Sequence, residues 1–179
     1  MILDSLLSFS LAAGDVPTST AASGNVIDLG IGATATTGIP LATAGGGARD
    51  IGIGDDPAMK LLVTVTVVFA GGTSMSVTLQ GAVDDGTGIP STWVSWYTTP
   101  VYALAGLVAG ARLMDMDMPR PPAGVAVPRF LRLNYTIVGT MSGGGTVKSF
   151  LVIDRDDQMY SGTNNAIMGG YPAGINVAN

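Results

Sequence analysis

Residues 58–83 read AMKLLVTVTVVFAGGTSMSVTLQGAV. Met59, Leu61, Val63, Val65, Val67 and Phe69 occupy alternate positions and are all apolar, while Lys60, Leu62, Thr64, Thr66, Val68 and Ala70 between them are mixed. Beyond Gly71 and Gly72 the alternation resumes, with Met75, Val77, Leu79 and Val83 set against Ser74, Ser76, Thr78 and Gln80. Successive side chains of an extended chain point to opposite faces, so the pattern predicts two strands turned back at the glycines as a hairpin with one strongly apolar face. The Val and Thr content also disfavours a helix, where β-branched side chains lose rotamer freedom against the preceding turn. A lone hairpin is marginal in water, so a second sheet must cover that face.

The remaining sequence supplies candidates for it. In RFLRLNYTIV (129–138), Leu131, Leu133, Tyr135 and Ile137 are expected to face inward, and Phe130, Arg132, Asn134 and Thr136 outward. Residues 139–145 turn this strand into TVKSFLVID (146–154). ARLMDMDM (111–118) alternates Arg112, Met114, Met116 and Met118 with Leu113, Asp115 and Asp117, a strand with a methionine face and an acidic face, stopped by Pro119, Pro121 and Pro122. Adaptable methionines suit core or interface, and core has precedence. Shorter strands are expected at NVIDL (25–29), RDIGI (49–53) and WVSWYT (93–98). Residues 30–47, rich in Gly, Ala and Thr, read as a surface excursion. Many short strands joined by turns, with no long helical period, predict an all-β fold: a two-sheet antiparallel sandwich of jelly-roll type. It forms one domain over 1–179, with an extended N-terminal arm (1–24) and an irregular C-terminal tail (158–179).

Composition narrows the function. The chain has 179 residues, 26 glycines, 10 prolines and a formal charge of −5; all 13 acidic residues are Asp. Its eight Lys and Arg are scattered, which lacks the basic footprint of nucleic-acid binding. No apolar run is long enough for a membrane helix. Cysteine and histidine are both absent, which removes thiolate metal sites, the commonest general base and the best neutral-pH nucleophile. The expectation is therefore a protein that is not an enzyme, with no catalytic residues, no cofactor and no metal.

Several residues stand out as candidate contacts. Residues 1–13 (MILDSLLSFSLAA) lack the basic start of a signal peptide, with Asp4 in its place, and read as part of the mature protein. Ile2, Leu3, Leu6, Leu7 and Phe9 are too apolar to lie in water; they pack on their own domain or dock on a neighbouring subunit. Trp93 and Trp96 stand three apart and cannot share one face of a regular strand, so one is core and the other partly exposed at a contact. Tyr160 and Tyr171 sit in an apolar tail that lies along the domain or is lent to a partner. Asp84, Asp85, Gly86 and Gly88 form a turn cluster without the spaced acids of a calcium loop. Asp154, Asp156 and Asp157 follow a strand and are expected to face water.

Taken in order, several segments together resemble tailed-bacteriophage capsid cement (decoration) proteins of jelly-roll type. They are Met1 to Asp4 with Phe9-Ser10, Ala21 to Gly30, Asp50 to Gly52 before the Val-rich strand, Val77 to Gln80, Arg129 to Tyr135 and Leu151 to Asp154. The match spans nearly the whole chain, carried by the order of the segments rather than by one motif. The resemblance implies a structural virion protein on the outer capsid surface, made in the host bacterial cytoplasm. It implies binding to the major capsid protein as a homodimer at local symmetry axes, with no catalytic residues to carry over. A negative charge suits an exterior position, and many modest contacts add by avidity. One alternative is a carbohydrate-binding or other adhesive module on a phage tail or cell surface. It would use Trp93, Trp96 and Tyr97 as platform and Asp84 or Asp85 as sugar or calcium ligand. Another is an Asp-based hydrolase, which needs two carboxylates roughly 5–10 Å apart in a cleft.

Overall fold

The Val-rich stretch forms strand β3 (Lys60–Val67), and the run beyond the glycines forms β5 (Ser74–Ala82). The two do not pair. β3 lies between β8 (Arg112–Asp117) and β11 (Thr146–Val152) in a three-stranded antiparallel sheet, whereas β5 lies in a six-stranded one. The expected hairpin is thus corrected: the two apolar faces meet across the core instead of lying side by side. Between them Phe69 leaves the ladder and is buried, and β4 (Ala70–Gly71) pairs with β10 (Met141–Ser142). Gly71 and Gly72 have φ of 70° and 67°, a left-handed pair that bends the chain from one sheet to the other.

The computed structural model describes residues 7–29 and 59–152. The expected strand at 49–53, the 30–47 excursion, the 154–157 acids and the 158–179 tail lie outside these residues, as do Ile2, Leu3, Leu6, Tyr160 and Tyr171. In the larger sheet β9 (Phe130–Val138) pairs with β5 along its whole length. The other edge of β9 carries β1 (Ala21–Ala22) and β2 (Ile27–Asp28), and the far edge of β5 carries β6 (Val94–Thr98) and β7 (Tyr102–Ala103). A 3-10 turn, Leu104–Gly106, follows β7. The protein is an all-β sandwich of packed antiparallel sheets. Its described strands divide unequally between the layers.

The core follows the alternation. Leu61, Val63 and Val65 of β3, Met75, Val77 and Leu79 of β5, Leu131, Leu133 and Tyr135 of β9, and Val147 and Leu151 of β11 form one apolar cluster. The methionine face of β8 joins it: Met114 stands opposite Val63, with Met118 buried just beyond the strand. Phe130, expected outward, is 4% exposed. The cause is local, since the guanidinium of Arg129 lies 4.7 Å over its ring.

Residues 7–24 close one side of the sandwich. Phe9 N donates to Ser149 O at 3.0 Å, and Asp15 and Val147 exchange a pair of backbone bonds at 2.8 and 2.9 Å, so this stretch lies along the edge of β11. The chain then crosses to β9, where Ser23 N donates to Leu133 O at 2.8 Å. At the crossing, the buried Asp15 carboxylate accepts from Leu11 N (3.2 Å), Gly24 N (3.1 Å) and the Tyr135 hydroxyl (2.9 Å). Burial first, then the Asp15 charge, push the Tyr135 hydroxyl well above its ordinary pKa.

Candidate functional site

At one end of the sandwich β5 finishes at Ala82, β6 begins at Val94 and β9 begins at Phe130. The loops 83–93 and 118–129 therefore meet there. The first is stiffened by its own carboxylates. Asp84 Oδ1 accepts from Gly86 N (2.7 Å) and Gly88 N (2.8 Å), and Asp85 Oδ1 accepts from the Thr87 hydroxyl (2.6 Å) and Thr87 N (2.8 Å). Such Asx turns are what an Asp-Asp-Gly-Thr-Gly run encodes, with φ of 97° and 91° at Gly86 and Gly88. The Gly88 amide, ahead of the Gly86 amide and Arg129, holds Asp84 below the usual carboxylate range; the Thr87 hydroxyl and amide do the same for Asp85. The loop uses these carboxylates as internal ligands.

Arg129 anchors that loop to the sheet. Its Nε and Nη2 bind the two oxygens of Asp28 at 2.8 and 2.9 Å, and Nη1 donates to Asp84 Oδ2. One guanidinium thus ties β2, the 84–90 loop and the start of β9 together. The Asp28 hydrogen bonds, followed by those of Asp84, raise its pKa. The backbone agrees, with Arg129 N donating to Ala82 O at 3.0 Å and Ser91 N to Val83 O at 2.9 Å.

Between the stiffened loops lies a groove of about 340 Å³, walled by Gly81, Ala82, Val83, Val94, Val125 and Pro128 among others and carrying no charged side chain. Its surroundings are conspicuously apolar: Val127 is 83% exposed and Ile89 59%. Exposed aliphatic side chains gathered beside a concave wall mark a contact surface better than the same residues scattered singly. The floor is thin because Gly81 makes room for the Trp96 ring, whose Cζ2 lies 2.6 Å from where a Cβ on Gly81 would stand.

The two tryptophans take opposite sides. The β5–β6 register slips between Leu79 and Gln80, leaving Trp96 as the extra residue of a β-bulge, and both Trp96 and Tyr97 pack against the core. Trp96 Nε1 is buried without a hydrogen-bond acceptor. Trp93 lies on the outer face, where the Arg132 guanidinium stacks 4.1 Å from its ring centre and Arg132 Nε donates to Gln80 Oε1 at 2.8 Å. Trp93, Trp96 and Tyr97 therefore form no common platform.

Leu7 packs against the core and Phe9 is fully buried within its own domain. As a candidate contact Phe9 is corrected, because a ring with no exposed surface cannot meet a partner. Trp93 adjoins the wall residues Thr92 and Val94 in the chain without lining the groove itself, and neither Leu7 nor Phe9 lines it. Sequence reasoning missed the groove itself. Its signal was the exposed valines of GVAVP (124–128), apolar residues in a proline-bounded loop.

Among the described residues no three acidic side chains gather as a metal would need, and no helix is long and apolar enough to cross a membrane. The arrangement offers an apolar concavity backed by a rigid frame. No curated protein matches the chain. A family model does: that of Bbp16 matches residues 11–151, most of the sequence, and the chain belongs to the Bbp16 family.

Proposed function

We propose that this protein is a structural virion component that decorates the outer surface of a phage capsid and cements it by bridging major capsid protein subunits. It works as a small homo-oligomer, a dimer at local symmetry axes, and performs no bond chemistry. The observation that carries this reading is the uncharged groove with exposed aliphatic surroundings, held by the Arg129 clamp before any partner arrives. Preformed surface loses little conformational entropy on contact, which is what a passive adhesive requires. The order of segments shared with cement proteins and the net charge of −5 support the same reading.

The test is to mix the purified protein with capsids lacking it and image the product by electron microscopy. Regular added density at symmetry-related positions is the expected result. Bare shells at saturating protein would refute it, and binding to a glycan array in their place would favour the sugar-binding alternative.

A further inference from the structure

We infer that the groove and Arg132 act as one receptor, and that it takes from the shell subunit a segment carrying a carboxylate beside an aliphatic side chain. This rests on the cement reading for the identity of the partner, though not for the chemistry of the site.

The cations of the described surface differ in how they are engaged. Arg129 is forked onto Asp28 and Asp84, Lys60 pairs with Asp117, and Arg112 pairs with Asp115 at 2.9 Å. Arg132, like Arg120 and Lys148, has no carboxylate partner among the described residues, and of these three it is the one stacked on an aromatic ring. Only its Nε is used, by Gln80, while Trp93 holds the guanidinium plane from one face. The Nη1 and Nη2 groups remain as an oriented pair of donors, the geometry that binds a carboxylate through two parallel hydrogen bonds. Burial draws its pKa below the ordinary arginine value, so an anion at the fork would relieve a desolvation that the fold leaves uncompensated.

The groove adds the second half of the recognition. Gln80, opposite Arg132, shares its face of β5 with the wall residue Ala82 two positions on, and Trp93, stacked on Arg132, adjoins the wall residue Thr92 in the chain. A ligand that seats an aliphatic side chain against Ala82, Val83, Val94 and Val125 can bring a neighbouring carboxylate to the fork. A lysine- or arginine-bearing segment would instead meet the guanidinium with like charge. Arg and Trp at the margin of a desolvated pocket are also the residue types that dominate interface energetics.

The chemistry is tested on the full chain with N-acetyl-leucine, which has both elements, against N-acetyl-leucinamide, which lacks the charge. Amide NMR shifts should move at Gly81, Val94, Val125 and the Trp93 indole, with the acid binding about tenfold more tightly than the amide, a difference that one charge-assisted pair supplies. R132Q should abolish that preference, and R132K, which keeps the charge without the fork, should retain only part of it. No shifts at these residues, or equal binding of acid and amide, would overturn the proposal. In the capsid mixture, R132Q should weaken attachment about tenfold at unchanged melting temperature. Attachment by wild type and R132Q alike would overturn the receptor and leave the cement reading standing. If wild type failed to attach while N-acetyl-leucine bound as expected, the cement reading alone would fall.

Discussion

Gly81 offers a direct test of how the end of the sandwich is packed. A Cβ placed there meets Trp96 Cζ2, Cε2 and Nε1 at 2.6, 2.7 and 2.8 Å, distances at which one group must move. The indole cannot swing away freely, because it packs against the core and its Nε1 is buried. Gly81→Ala should therefore carry an overpacking cost of about 1–3 kcal/mol. Against this stands a gain of about 0.5–1 kcal/mol from reduced freedom of the unfolded chain. The net is a destabilisation of about 1 kcal/mol, a drop in melting temperature of about 2–4 °C for a chain of this size. Urea unfolding followed by tryptophan fluorescence measures it, with an unchanged m-value expected. Repeating the substitution in a Trp96→Leu background removes the ring, and there Gly81→Ala should be neutral or slightly stabilising. Equal cost in both backgrounds, or no cost in the first, would refute the packing argument.

Three further outcomes follow from other parts of the fold. Phe9→Ala should lower stability by about 3–5 kcal/mol in chemical denaturation, since it empties a fully buried site; a change below 1 kcal/mol would show the ring is not core. Tyr135 has a raised pKa, so the folded state keeps its proton where the unfolded chain, at its ordinary 10.0, has lost it. Its contribution is complete below pH 10.0 and is lost as pH rises above it, so stability should fall on the alkaline side and fall less steeply in Tyr135→Phe. Asp84 and Asp85 have lowered pKa values, so their contribution is present above the ordinary 3.8 and is lost as pH falls through the folded values. Acid unfolding should accordingly be shallower in the Asp84→Asn, Asp85→Asn double variant, as read by pH-dependent denaturation.

Side-chain facing was legible wherever alternation was long. The inward set Leu131, Leu133, Tyr135 and Ile137 and most of the apolar rows around Gly71 and Gly72 follow from a period of two, whereas Val67 and Val83 at the row ends are exposed and Leu62 and Leu113 are buried against the alternation. Pairing was not legible, because alternation states which face is buried and is silent on which strand lies alongside. Hence the sequence between Met59 and Val83 predicted a hairpin, while the structure places its halves in opposite layers. Phe130 escaped for a different reason, because the guanidinium of its neighbour Arg129 covers its ring, which alternation does not register. For Phe9 the sequence left two readings open, and the crossing of residues 7–24 decides for burial in its own domain. The bulge at Trp96 inserts a residue without any compositional mark. The groove is assembled from two loops about forty residues apart, Val83 to Val94 and Gly124 to Pro128, so neither reads as a site alone. The Asp84–Gly88 turn was legible, because Asx turns are local chemistry.

The path of the chain has a mechanical consequence. β2, β5 and β9 belong to one layer and β3, β8 and β11 to the other, so the polypeptide shuttles between layers and neither is a continuous piece of sequence. Neither layer can peel away while the other persists, and distant pairings must all form before any is secure. In the proposed cement role, loading by a neighbour should therefore break the contact before it opens the domain, so that a detached molecule remains folded and able to rebind.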